Sequence, residues 1–258
     1  MAKKLLIILN DNLSDLVKKG EVVNRYYNPG NFFEEIHYLL INQKKINNKK
    51  LQIMSGDAKI YLYTINLNFI EKTAIIFNCF LNFIKLDKFY KIVKKINPNV
   101  IRCYNINYSI FLAYILKIKY NIPYIISLHC DHKNLISKLP FWKKIIVKSL
   151  IFKIKKIFFY SYKLIPVYST ATRIIKNMNI KNYKICYNFI GEAKNIKRFR
   201  NKKKIINLIC TNRQFKEKNP INIIKAVKEI DNVKLTLIGN GKYHYLLKNY
   251  VIEKKLKN

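Results

Sequence analysis

The sequence predicts an α/β protein built on parallel sheets. Three observations carry this. Short, largely apolar runs (4–9, 100–104, 123–128, 164–168, 205–210, 233–238) alternate with longer amphipathic segments, the pattern of buried parallel strands joined by crossover helices. Cations and glycines fall where these runs end, the usual place for a ligand in an α/β sheet. Half of the 258 residues are hydrophobic, enough for one large core or two smaller ones and too many for a disordered chain.

Taken in order, 4–9 reads as the first strand. A charged start and a six-residue apolar run are too short for a signal-peptide core, and no small-residue cleavage site follows. A long polar segment, 10–31, holds Gly20 and the string NRYYNPGN (24–31). The spacing predicts a helix over 32–40, with Glu34 and Glu35 in the first turn where the helix dipole favours acids. Strand, ligand-sized loop and helix make a Rossmann-like opening, but the glycine fingerprint of dinucleotide binding is missing, which argues against NAD. Runs 51–53 and 60–62 are short strand candidates around Gly56 and Asp57. Segment 69–95 has lysines at helical spacing and reads as helix. Pro98 punctuates, 100–104 is a strand, 108–120 a helix ending at Asn121, and 123–128 a strand that leads into His129-Cys130-Asp131-His132.

Segment 133–163 is the most basic apolar piece and holds the only tryptophan, Trp142. A core-packed helix pair with a solvated lysine face and an interfacial amphipathic helix both fit it. After a strand at 164–168, a helix at 169–178 capped by Ser169 or Thr170, and a short strand at 184–187, the chain becomes polar and very basic (GEAKNIKRFRNKKK, 191–204). That stretch is the expected domain boundary, dividing the chain into 1–190, a basic linker 191–204, and 205–258. The last part reads as strand (205–210), polar loop, amphipathic helix (221–230), strand (233–238) and helix (245–256).

The formal charge of +36 invites a nucleic-acid reading. The kind of cation argues otherwise. Arg occurs only at 25, 102, 173, 198, 200 and 213 among 50 Lys and Arg residues. Lys, Asn, Ile, Tyr and Phe, all with A/T-rich codons, dominate the chain. Gene composition therefore accounts for most of the lysine, with a membrane-facing contribution. Specific nucleic-acid binding is not expected, because Arg-rich readers and their motifs are absent. The five cysteines (79, 103, 130, 186, 210) are odd in number and form no CxxC, so they read as small hydrophobes in a reducing compartment. No stretch of 18 residues is free of charge, so no membrane-spanning helix is expected.

Several residues stand out chemically. His129 ends a buried strand, where it could give a hydrogen bond to a sugar or phosphate oxygen. The string HCDH is too short to wrap one ion and has no Cys/His partner motif, so no metal is expected. Arg213 and Lys218 lie five residues apart in the loop after a strand. Guanidinium and ammonium together suit a diphosphate leaving group, whose charge grows as its bond to carbon breaks. Gly239 and Gly241 supply either the backbone freedom of a tight turn or close approach to a ligand.

These residues carry a resemblance. CTNRQFKEKNPINIIKAVKEI (210–230) with VKLTLIGNG (233–241) resembles the second-domain opening of glycosyltransferase family 4 enzymes, which have the GT-B fold. There a strand is followed by Gly-Arg-(x)4-Lys-Gly/Asn, a helix, and a strand ending in Gly-x-Gly. Arg213 and Lys218 match the Arg and Lys, while Thr211-Asn212 stand where the family more often has Gly. INPNVIRCYN (96–105), IPYIISLH (122–129) and ICYNFIG (185–191) are similar to the late first-domain strands and the crossover segment, with Phe189 replacing a Gly.

The resemblance implies a GT-B-like α/β fold, with a complete N-terminal Rossmann-like domain and a partial C-terminal one. It also implies metal-independent, retaining transfer of a sugar from a nucleotide-sugar donor to a cell-envelope glycan or lipid-linked acceptor. No cofactor is implied, the nucleotide sugar being a substrate. On this footing His129 is catalytic, Arg213 and Lys218 hold the donor diphosphate, and Gly239 and Gly241 form the donor loop. Asn28 and Gly30 belong to an acceptor-side loop, and 133–163 would dock to the inner face of the cytoplasmic membrane. The family's Glu-(x)7-Glu motif has no counterpart, since 242–258 offers only Glu253 as a carboxylate side chain. A C-terminally truncated enzyme is therefore expected, with a non-catalytic nucleotide-binding or membrane-associated module as the alternative.

Overall fold

The structure, a computed structural model, describes residues 2–10, 12–18, 22–43, 48–81, 86–188 and 205–256. The chain separates into two compact units, Met1–Glu192 and Ala193–Asn258. The basic stretch 191–204 lies outside the described residues.

In the first unit, β1 (Lys4–Leu9), α1 (Leu13–Lys18), β2 (Glu35–Ile41), α2 (Asn48–Ser55) and β3 (Lys59–Ile65) form one half. The other half is α3 (Phe69–Leu81), α4 (Asp87–Ile96), β4 (Val100–Tyr104), α5 (Tyr108–Tyr120), β5 (Tyr124–Leu128), α6 (His132–Ser137), α7 (Phe141–Tyr160), β6 (Lys163–Pro166) and α8 (Arg173–Asn177). The six strands make one parallel sheet in the order β3-β2-β1-β4-β5-β6. The order reverses beside β1, so the crevice beyond the C-terminal ends of β1 and β4 is the switch point of the sheet.

Each strand deals its residues alternately to two cores. Leu6 and Ile8 of β1 join Ile101, Cys103, Ile126 and the helical Phe158 on one face. Leu5, Ile7 and Leu9 join Tyr38, Leu40, Leu51 and Met54 on the other, under α1 and α2. Asn97 and Asn121 close α4 and α5 in the left-handed conformation, each returning its N–H to a carbonyl of the last turn. The Asn107 side chain caps α5 through the N–H of Ser109.

Several local expectations are corrected. The 32–40 helix is strand β2, because its run EIHYLLI is buried on both faces between β1 and β3. Glu35 there pairs with Lys4 at 3.4 Å and with His37 at 3.1 Å rather than with a helix dipole. The 51–53 strand is part of α2, whose Leu51 and Met54 share one helical face toward the second core. The polar segment 10–31 contains α1, and the 69–95 helix is two, α3 and α4. The 184–187 strand is reduced to a single bridge, Leu164 to Tyr183, although Lys184 and Cys186 still donate to Leu164 and Pro166 of β6.

The second unit consists of β7 (Ile206–Thr211), α9 (Pro220–Val227), β8 (Val233–Ile238) and α10 (His244–Glu253). The strands pair in parallel from Ile206–Val233 to Thr211–Ile238. The expected buried strand at 205–210 is exposed instead: Ile206 is 59% and Ile209 67% accessible. Every residue of β7 but Cys210 is exposed, so among the described residues neither face of this two-stranded sheet is closed over β7. Among the described residues no helix is long and apolar enough to cross a membrane.

Candidate functional site

Two adjoining cavities, of about 390 and 290 Å³, open at the C-terminal ends of the first unit's central strands. Both are lined by Val23, Tyr26, His129 and Asn188. The inner one reaches Leu9 and Tyr104, the last residues of β1 and β4, so it occupies the switch-point crevice. The outer one is walled by Arg25, Arg102 and Tyr187.

His129 is placed here by backbone contacts. It follows β5 directly, its N–H donates to Asn105 Oδ1 at 2.8 Å, and its carbonyl accepts from Tyr168 Oη at 3.3 Å. Its ring lies 5.5 Å from that of Tyr104, and the residue is half-buried. The rest of the HCDH string has other work. Asp131 caps α6 through the N–H of Asn134 and pairs with Arg173 at 3.1 Å. His132 is buried, and its Nε2 accepts from the Ile106 N–H at 3.4 Å, which requires the neutral ring. Burial holds its pKa down at about 4, against the opposing pull of Asp131. No group of three His, Cys, Asp or Glu is assembled to hold a metal among the described residues.

Two cations in this cleft were not singled out in the sequence. Arg102, on β4, points to the second face with its Nε 3.3 Å from Ser127 Oγ and its guanidinium 5.1 Å above the Tyr104 ring. It is half-buried and has no carboxylate partner among the described residues. Arg25 adopts a left-handed backbone (φ 55°) and lies 3.6 Å from Asp57. The scarcity of Arg in the sequence was the signal available for both. Beneath them Tyr27, Tyr38 and Tyr104 pack edge to face. Burial raises the Tyr104 phenol far above its usual range, so it stays protonated, and its hydroxyl has no partner among the described residues.

Asn28 and Gly30 do not line either cavity. Asn28 is fully buried. Its amide donates to the carbonyls of Phe33 (2.9 Å) and Ser55 (3.2 Å) and accepts from the Phe33 N–H (2.9 Å). It pins the loop that carries Arg25 and Tyr26, and its side chain is occupied by the protein. Gly30 turns the chain with φ 76° in open space.

In the second unit Arg213 and Lys218 are exposed on the loop between β7 and α9, and Lys218 ends a 3-10 turn, Lys216–Lys218. Asn219 in the left-handed region then starts α9 with Pro220 at its first turn. The loop is held by Gln214, which is buried. Gln214 receives N–H donors from Tyr243 on its carbonyl (3.0 Å) and gives its own N–H to the Asn240 carbonyl (3.0 Å). Its side-chain oxygen lies 2.7 Å from His244 Nδ1. Gly239 (φ 145°) and Gly241 fit against the backbone of this loop, and a Cβ on either would run into the carbonyl oxygen of Asn212 or Gln214. The close approach their glycines allow is thus to the Arg213 loop itself. Gln214 is the residue that sequence reasoning missed, because a glutamine among surface cations carries no visible sign of burial.

No protein-family model matches the chain, and no curated protein matches it. Solved structures do. A sucrose-phosphate synthase from Thermosynechococcus elongatus superposes with TM-score 0.56 at 11% identity, over 99% of this chain and 68% of its own. TarM from S. aureus, in complex with fondaparinux, α-GlcNAc-glycerol and UDP, gives 0.53 at 10% identity, over 99% and 76%. A protein assigned as UDP-N-acetylglucosamine 2-epimerase from Listeria monocytogenes gives 0.52 at 10% identity, over 100% and 67%. These likenesses are of fold: the chain has the GT-B-like α/β architecture, with a six-stranded Rossmann-like unit.

Proposed function

We propose that the chain is a glycosyltransferase-type protein that takes a nucleotide-sugar donor and a glycan or lipid-linked acceptor. The observation that carries this is the Arg213–Lys218 loop. It projects two exposed cations from the C-terminal end of a parallel strand, and Gln214, Gly239 and Gly241 fix it from behind. Two cations on a loop whose backbone is held in this way suit a diphosphate, in the ground state and as a leaving group. Neighbours in fold that act on nucleotide sugars support the same reading; TarM was crystallised with UDP. In this reading Arg213 and Lys218 bind the donor diphosphate, and the loop from Gly239 to Gly241 supports them. His129 serves the sugar-transfer step, the cleft of the first unit takes the acceptor, and no metal or cofactor takes part.

The basic helix fits a place on a membrane surface on the cytoplasmic side. Along α7, Phe141, Phe152 and Phe159 are exposed at 72–79%, interleaved with exposed Lys148, Lys155 and Lys156. Such a stripe suits an anionic interface, where aromatic rings enter the headgroup layer and lysines meet phosphates.

The test is binding of UDP, ADP and GDP sugars by titration calorimetry, followed by product analysis. Arg213→Ala and Lys218→Ala should each weaken the preferred nucleotide about ten-fold or more while leaving the unfolding midpoint in place. Unchanged affinity in both variants would remove the site assignment. Nucleotide binding with no sugar transfer to any glycan or lipid acceptor would favour a non-catalytic binding module.

A further inference from the structure

The outer cavity of the first unit has an unbalanced charge. Arg25, Arg102 and His129 line it, and among the described residues no Asp or Glu lines it or the inner cavity. Asp57 neutralises Arg25 only loosely, at 3.6 Å with both side chains open to solvent. Arg102 has a hydroxyl and an aromatic ring for neighbours and no carboxylate among the described residues. A half-buried guanidinium without a counter-ion is costly unless an anion reaches it from outside. The Tyr104 hydroxyl, buried at the inner cavity and without a partner among the described residues, is a further donor. Tyr26 and Tyr187 offer aromatic surface beside these groups, and the 390 Å³ volume admits a small phosphorylated molecule rather than an ion alone.

We infer that this cavity is an anion subsite that takes the phosphate or phosphodiester group of the acceptor. Arg102 and Arg25 provide the fork of N–H donors that phosphate oxygens fit. The acceptor assignment rests on the sugar-transfer reading; the anion site itself rests on the cavity. The residues concerned all belong to the first unit.

The experiment titrates the full chain with glycerol 3-phosphate and, separately, sediments it with phosphatidylcholine vesicles containing phosphatidic acid. In Arg102→Gln, and independently in Arg25→Gln, affinity for one of these probes should fall about ten-fold or more, with UDP affinity unchanged. Loss confined to the soluble probe identifies a soluble phosphorylated acceptor; loss confined to the vesicles identifies a lipid headgroup. Near-UV circular dichroism confirms folding, and if Arg102→Gln fails to fold, the exposed Arg25→Gln decides. Equal affinity for both probes in the folded variants overturns the anion site. UDP displacing glycerol 3-phosphate overturns its acceptor role, since the cavity would then hold the donor. Absence of UDP binding to the parent chain would sink the sugar-transfer reading and leave the arginine-dependent phosphate result standing by itself.

Discussion

Gln214 Oε1 lies 2.7 Å from His244 Nδ1, which places the imidazole proton on Nδ1 and joins the loop after β7 to the first residue of α10. With the Tyr243 N–H on the Gln214 carbonyl and the Gln214 N–H on Asn240, the two strand-end loops of the second unit become one rigid ledge. The cations of that ledge are exposed, while the residue that holds them is buried.

Replacing Gly239 by Ala should therefore destabilise the chain by about 1–3 kcal/mol, because the new methyl meets the Asn212 carbonyl and the φ of 145° is foreign to L side chains. Urea unfolding measures the loss. Nucleotide affinity should fall with it, since the Arg213 loop must shift to make room. An Ala variant with parent stability would show that the two loops are not packed as described.

His132 makes stability sensitive to acid. Its folded-state pKa of about 4 lies below the 6.5 of the free side chain. Between these values the unfolded chain takes up a proton that the folded chain refuses. Stability from this group is complete above about pH 6.5 and is lost as pH falls toward 4, by up to about 3 kcal/mol. In His132→Gln, whose amide oxygen can accept from the Ile106 N–H, the slope of unfolding free energy between pH 6.5 and 4.5 should be smaller. An identical slope would place the buried histidine elsewhere.

Asn28→Ala should cost about 2–3 kcal/mol, because it strands the Phe33 N–H and the carbonyls of Phe33 and Ser55 in a buried position. Asn28→Asp keeps the acceptor but sets a buried carboxylate against the two carbonyl oxygens, so at neutral pH it should cost at least as much. Chemical unfolding distinguishes the three chains. Equal midpoints would mean that the amide contacts something other than the loop it closes.

Replacing Lys148, Lys155 and Lys156 by Gln should weaken binding to phosphatidylglycerol-containing vesicles about five-fold per lysine at low salt, with the loss shrinking as salt screens the surface. Co-sedimentation reads it. Binding that stays constant through all three substitutions would detach α7 from any membrane role.

The sequence alone determined the parallel α/β class, since a mostly apolar run such as 4–9 suits a strand covered on both faces and such runs alternate with amphipathic segments. It also drew notice to Arg213 and His129 as candidates, because they stand one or two residues beyond strand ends, and the structure keeps them there. It misread 32–40 as helix: Glu34 and Glu35 look like a helix start, and only the neighbours β1 and β3 turn that segment into a central strand. Periodicity in a buried run does not separate the two. It placed Asn28 in an acceptor-side loop; that the amide of this residue is bonded to Phe33 and Ser55, partners 5 and 27 residues away, is visible only in the tertiary structure. The cleft itself is a tertiary fact. Arg25, the β4 pair Arg102 and Tyr104, and His129 come from three separate places in the chain. What brings them together is the alternation of β4 toward one face and the reversal of strand order beside β1, neither of which any local pattern records.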